Sequence, residues 1–429
     1  MTEAAADSLP GRAADPLTEA LLYWYMALTP LWWATGTLLP LGVLGAVVLF
    51  LRRLPREPAL ALLVGLWFLV GLVQFAAAVV NYVFAGETGI NLLHSAVSPG
   101  ITGWVLIGVC IGIGGQAGLA TPRMARAIGF QALWILALTA ISVVAAYGFG
   151  MESLAVPSPL ALLLPGDMPL VRYHLTMTFF LHDELLDDRA LRLSLFFPWP
   201  TALSLAGATA LLLGLCAERP RRWRVAAILG GAAGVWFGYS RSVALSLVLA
   251  VGAIALLRLP RPARFATVLL AGLLANAAVV AGWDPISAVQ AAHETFTSMR
   301  AGSSFARQLL YDITWTHFLE RPIFGYGAYS GPVARWLPVP LGSHSSFYGV
   351  LYLGGVATFG VLCLASAATL LAVALRLGDR RREAPAALAM LLTIGVVGFG
   401  ENISSIAPSL LASFIWLGGV LRPPEEPAA

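Results

Sequence analysis

The sequence predicts an all-α polytopic membrane protein of about 11–12 transmembrane helices with two larger external loops, and three observations carry that expectation. Hydrophobic residues fill 59% of the 429 positions against 11% charged, a balance that a soluble domain with a polar surface cannot sustain. Apolar runs near the roughly 20 residues needed to cross a bilayer recur along the chain. Short arginine clusters occupy every second gap between those runs.

The runs fall at 32–51, 58–82, 98–118, 127–150, 200–217, 225–240, 242–257, 265–282, 344–375, 385–401 and 404–421. Residues 21–33 are apolar enough for one more short or interfacial helix, with Trp24, Trp32 and Trp33 suited to the headgroup level. Arginines cluster at 52–56, 123–126, 219–224, 258–264 and 376–382, and Arg422 marks the tail. All six share one parity, so the positive-inside rule makes them cytoplasmic. Residues 151–199 and 283–343 then lie outside, as the first and second external loops of a single integral domain spanning 1–429. Their aromatic residues predict packed, partly helical covers over the outer mouth of the bundle.

Every one of the 26 basic residues is Arg, and the net charge is +4. These residues sit between spans instead of forming one patch, which excludes the pattern of a nucleic-acid surface and points to membrane lipids as surroundings. Cys110, Cys216 and Cys363 stand singly, so neither a disulfide framework nor a metal cluster is expected. Residues 1–30 carry several acids and one Arg, so no cleaved signal peptide is expected. Gly112, Gly114 and Gly115, and Gly230, Gly231 and Gly234, read as sites of close helix packing.

Candidate chemistry lies in the outer gaps. Arg241, in Gly238-Tyr239-Ser240-Arg241-Ser242, breaks the positive-inside pattern. A snorkelling helix-end Arg is the bland alternative to an anion ligand. In the second loop, Phe305, Leu309 and Ile313 have amphipathic helical spacing, with Arg307 and Tyr311 one turn apart on a different face. Ser303 and Ser304 are plausible N-caps, which would put the positive helix end near Arg307. Arg321-Pro322-Ile323-Phe324-Gly325-Tyr326-Gly327 reads as structural turn geometry. His344 opens the next span from the outside. Two arginines suit a diphosphate and one His can exchange a proton near neutral pH. Arg172, His174, His182 and the acids from Asp183 to Asp188 form a charged stretch that could contact a sugar or diphosphate, or simply be a solvated face. Glu401 and Asn402 read as a cap or as a partner for an arginine.

The segment from Arg307 to Tyr348, followed by Tyr352-Leu353-Gly354-Gly355 and Phe359-Gly360, resembles the O-antigen ligase and Wzy polysaccharide polymerase superfamily. Tyr239-Ser240-Arg241-Ser242 and Arg192-Leu193-Ser194-Leu195-Phe196-Phe197-Pro198 resemble its preceding motifs. Ser345 stands where an Asn is common after the His, and Pro198-Trp199-Pro200 where an Asn-containing motif is often found. The resemblance implies a polyprenyl-dependent, metal-independent glycosyltransferase without cofactor in the bacterial cytoplasmic membrane, facing the periplasm or outside. It implies an undecaprenyl diphosphate-linked glycan donor, a glycan or glycolipid acceptor, Arg241 and Arg307 at the donor diphosphate, and His344 activating or orienting the acceptor hydroxyl; Tyr311 and Arg172 are read from the sequence itself as further candidate substrate contacts. A transporter or flippase of a lipid-linked or anionic substrate is the alternative. It would place charged residues at mid-membrane depth, where the apolar runs carry few.

Overall fold

The computed structural model describes residues 15–85, 97–117, 121–164, 171–181, 191–217, 221–298, 301–329, 332–334, 337–379 and 383–422. Each of the eleven apolar runs is helical. By length and composition, six helices among the described residues are able to cross a membrane, or up to eight if each of two bent pairs counts as one crossing. The pairs are Thr29–Thr35 with Leu38–Arg52, turned by 119°, and Ile403–Ser409 with Leu411–Leu421, turned by 88°. The count falls below 11–12 because several helices are short. Pro200–Cys216 and Glu383–Val397 have 17 and 15 residues, about 23–26 Å at 1.5 Å per residue against a hydrocarbon core of about 30 Å. Pro200–Cys216 is buried along almost its whole length and packs on Arg221–Phe237, Glu383–Val397, Arg241–Arg258 and Thr121–Val143. It is a hub clad in protein, so its length need not match the lipid.

Small residues let these helices approach. Added Cβ atoms on Gly207 and Gly231 would meet the facing backbone at 2.7 Å and 2.5 Å, and Gly114 and Gly418 lie against Ile415 and Ile111 in the same way. The glycine runs therefore serve packing, as their sequence context indicated. Residues 21–33 divide between helices Pro16–Ala27 and Thr29–Thr35.

Among the described residues, arginines of the arginine-rich turns hold helix ends at one side of the bundle. There Arg53 pairs with Asp15 at 3.5 Å, Arg123 with Glu19 at 3.4 Å, and Arg376 Nη2 donates to the Leu421 carbonyl at 2.8 Å. The opposite end carries the two large loops. The first has two short helical turns, Ala161–Leu163 and Val171–Leu175, and, beyond the partly helical cover expected, a three-stranded antiparallel sheet of Ser153–Pro157, Thr176–Leu181 and Leu193–Leu195. Its β-branched and aromatic alternation, Thr176-Met177-Thr178-Phe179-Phe180, suits a half-buried strand, and Phe179 and Phe196 close over Trp33. The second loop is mixed, with helices Pro285–Ser298 and Ala301–Glu320 and a strand pair, Pro332–Ala334 with Leu337–Pro340.

Helix Ser346–Leu375 is broken at Gly355, where φ is +63° and ψ is −167°. A break exposes backbone groups that lipid cannot satisfy. The segment 322–327 supplies the partners: Tyr326 and Gly327 N–H donate to the Tyr352 and Leu353 carbonyls at 2.7 and 2.9 Å. Val356 and Ala357 N–H donate to the Pro322 and Ile323 carbonyls at 2.8 and 3.3 Å. Gly355 is needed for its left-handed φ and because its Cβ position abuts the Ile323 carbonyl. Gly355→Ala should therefore lower the thermal midpoint in detergent, costing about 1–3 kcal/mol. Gly360→Ala, open on the same helix, should leave it unchanged or raise it. Equal midpoints for Gly355→Ala and the parent would show that the docked segment does not enforce the break.

Candidate active site

Helix Ala301–Glu320 carries Arg307 and Tyr311, but its inward face differs from the expected one. Leu310, Thr314 and Phe318 are buried while Phe305 is 64% exposed, so the packing stripe runs 307, 310, 311, 314 and 318, and both site residues lie on it. The helix starts at Ala301, so Ser303 and Ser304 are inside it instead of capping it. Arg307 thus sits beyond the first turn, where the dipole has little effect.

Arg307 Nη2 pairs with Glu401 Oε1 at 3.1 Å, and Thr201 Oγ1 donates to the same oxygen at 3.0 Å. Glu401 is only 12% exposed while Arg307 remains 41% exposed, so the guanidinium keeps a face open to a ligand. Glu401 follows the turn Gly398-Phe399-Gly400, which is stitched to the start of helix Ser346–Leu375. Ser346 N–H bonds the Gly398 and Glu401 carbonyls at 2.8 and 3.0 Å, and Ser346 Oγ donates to the Glu401 carbonyl at 2.9 Å. Ser345 caps that helix, accepting from Phe347 and Tyr348 N–H.

His344 stands immediately before this cap. Ser343 Oγ donates its one proton to the Pro340 carbonyl at 2.7 Å, so at 3.0 Å it accepts from His344 Nδ1. That assigns the Nδ1–H tautomer and leaves the Nε2 lone pair for a proton. Burial, reinforced by the Arg307 charge and opposed by Glu401, holds the imidazole below its ordinary value of 6.5. At neutral pH the ring is uncharged, the form a general base needs.

Tyr311 donates to the carbonyls of His344 and Phe399, each at 3.2 Å, and stacks on Tyr348 with ring centroids 4.7 Å apart. Burial pushes its phenol up to about 12, so it stays a donor and braces the two turns that carry His344 and Glu401. The structure thus brings Arg307, Tyr311 and His344 together.

Arg241 is the first residue of helix Arg241–Arg258 behind the N-cap Ser240. Gly238 lies against Ser204 and the Pro200 carbonyl, one turn from Thr201, so the turn bearing Arg241 is at the same end as Glu401. Tyr239 and Leu195 are the non-glycine residues with positive φ (49° and 53°) among the described residues; Tyr239 lies in the turn before helix Arg241–Arg258 and Leu195 ends the strand that precedes helix Pro200–Cys216, and such strain is typical of functional sites. Arg172 lies in the turn Val171–Leu175, but its side chain is outside the described residues, as are His182 and the acids from Asp183 to Asp188.

Thr201 was missed by sequence reasoning, since a Thr following Pro at a helix start reads only as a helix beginning. Glu401 was visible as an acid in an apolar stretch, and its expected pairing with an arginine is what the structure shows.

Residues 225–365 match the family model Wzy_C, described as O-antigen ligase. The match covers about a third of the chain and includes Arg241, Arg307, Tyr311 and His344. This region is thus similar to the O-antigen ligase family, which supports a membrane glycosyltransferase of ligase or polymerase type in general. No curated protein matches the chain.

Histidine NMR titration of the full chain in detergent should show His344 protonating below 6.5. Arg307→Gln removes a charge that lowers this value and should raise it. Glu401→Gln removes one that raises it and should lower it further. Titration at the ordinary value in all three proteins would show that neither charge reaches the imidazole.

Proposed function

We propose that the protein is a membrane glycosyltransferase that moves a glycan from an undecaprenyl diphosphate-linked donor to an acceptor sugar hydroxyl on the outer face of the cytoplasmic membrane. It acts as an O-antigen ligase or polysaccharide polymerase. The observation that carries this reading is the convergence of a half-open Arg307 and an uncharged, oriented His344 at the end of the bundle opposite the arginine-rich turns. The O-antigen ligase match over the same residues supports it.

In the transfer, the bond between the anomeric carbon and the phosphate oxygen breaks, and the electron pair leaves on the lipid diphosphate. Arg307 and Arg241 stabilise the charge that develops there, an interaction stronger in the transition state than in the ground state. The acceptor oxygen forms the new bond and its proton passes to His344 Nε2. Glu401 holds Arg307 before the donor arrives, and the more highly charged diphosphate then competes for the guanidinium. Tyr311 is a positioning residue: it fixes the His344 turn relative to Glu401.

Arg307→Lys and Arg241→Lys should each lose most transfer activity, because a single ammonium cannot reproduce a bidentate fork on a diphosphate. His344→Ala should reduce turnover by about 10²–10⁴-fold while changing donor affinity little. Full activity in both lysine variants, with a loss below tenfold in His344→Ala, would leave these residues as anchors of helix ends. Envelope glycans of a deletion strain separate the two acceptors. Accumulated single repeats identify a polymerase, and uncapped acceptor lipid with long lipid-linked chains identifies a ligase.

Cysteine labelling at position 330, in a background without Cys110, Cys216 and Cys363, should succeed in intact cells. Labelling that requires access to the cytoplasm would overturn the sidedness.

A further inference from the structure

A groove of about 400 Å³ opens between the end of helix Pro58–Ala85, at Val80 and Asn81, and the turn from Arg321 to Gly325. It lies at the same end of the bundle as the transfer site but apart from it. Arg321 is 14 residues from Arg307, about 20 Å along helix Ala301–Glu320 at 1.5 Å per residue. We propose that this groove binds the phosphate of a phosphorylated membrane lipid, as a second lipid site separate from the transfer centre.

The guanidinium is held ready. Arg321 Nη1 donates to Asn81 Oδ1 at 3.1 Å, and the guanidinium carbon stands 4.7 Å from the centroid of the Tyr326 ring. Tyr326 is itself stacked against Tyr352, at 4.9 Å and 12°. Asn81 is itself fixed, its amide donating to the carbonyls of Ala77 at 2.8 Å and Gly325 at 3.1 Å. Beneath the turn lies the hydrogen-bonded break of helix Ser346–Leu375, so the groove floor is rigid.

Glu320, whose charge Arg321 feels, accepts through one oxygen, Oε2, from the Tyr326 hydroxyl and contacts His317 Nδ1 there at 3.2 Å. It flanks the guanidinium without taking it. With one contact accounting for Nη1, the planar fork retains donors for a bidentate phosphate contact.

The remaining walls are apolar and open: Ile323 is 58% and Phe324 47% exposed. A cation fixed beside exposed apolar side chains at the end of a membrane helix matches a lipid phosphate with its chains, and matches a free soluble anion poorly. One diphosphate cannot occupy Arg307 and Arg321 together over that distance, so the groove takes a different lipid molecule or a different stage of the same one.

Native mass spectrometry of the full chain in detergent tests this with phosphatidylglycerol, undecaprenyl phosphate and inorganic phosphate as separate probes. The parent should retain at least one of the two lipids, and Arg321→Gln should weaken that binding by about tenfold or more. Arg321→Lys should retain part of it, which guards against a folding defect. Phe324→Ser should weaken lipid but leave inorganic phosphate unaffected. Retention of phosphatidylglycerol assigns the groove to a bilayer lipid, and selective retention of undecaprenyl phosphate assigns it to a polyprenyl lipid. Equal lipid binding by the parent and Arg321→Gln, or inorganic phosphate binding as tightly as either lipid, overturns the proposal. The readout is binding and not glycan transfer, so this result and a failure of the proposed reaction are distinguishable.

Discussion

The structure depends on how one helix survives interruption inside a membrane. Helix Ser346–Leu375 breaks at Gly355, and in a medium without water each freed N–H and carbonyl would cost several kcal/mol if left unpaired. Four backbone hydrogen bonds from the segment 322–327 satisfy that break. Because this segment directly follows helix Ala301–Glu320, docking it also fixes that helix, whose Leu310 joins Leu341, Tyr352 and Leu353 in a small core. Arg307 and Tyr311 are thereby set against the turn of His344. The turn chemistry of Arg321 to Gly327, which by itself says nothing about catalysis, positions the candidate site.

Within that frame the charges are arranged so that each limits another. Glu401 orients Arg307 and acts on His344 more strongly than the guanidinium does and in the opposite sense, so it is burial that keeps the imidazole uncharged. An exposed ion pair contributes little to stability, and a guanidinium 41% exposed falls near that limit. The pairing is better understood as placing a cation that a diphosphate can engage than as holding the fold together. Thr201 and Ser346 extend the arrangement to two further helices, so Glu401 joins the central hub, the broken helix and the loop helix at one point.

Much of this was legible in the sequence, because lipid imposes a simple code. Span positions follow from apolar length, and the arginine-rich end follows from parity, since both reflect transfer free energies that act residue by residue. Arg307 and His344 could be singled out because a charge in an outer gap stands against an apolar background. The sheet of the first external loop was not foreseen because Thr176–Leu181 is too short for its alternation to stand out from the surrounding pattern. The face of helix Ala301–Glu320 was misjudged because Phe305 obeys the spacing of a core residue but is exposed. In a chain whose helices can present apolar side chains to lipid, hydrophobicity does not tell inward from outward. Thr201 was invisible because its role arises from a contact with Glu401, 200 positions away.

The central claim is that the outer end of the bundle receives a lipid diphosphate at Arg307 and presents its sugar to His344. Cryo-electron microscopy of the full chain in nanodiscs with an undecaprenyl diphosphate-linked sugar tests this most directly. The account predicts diphosphate density within hydrogen-bonding distance of Arg307, with the anomeric carbon on the side of His344 Nε2. Diphosphate density at the opposite end, among Arg53, Arg123 and Arg376, with Arg307 still closed on Glu401, would contradict it.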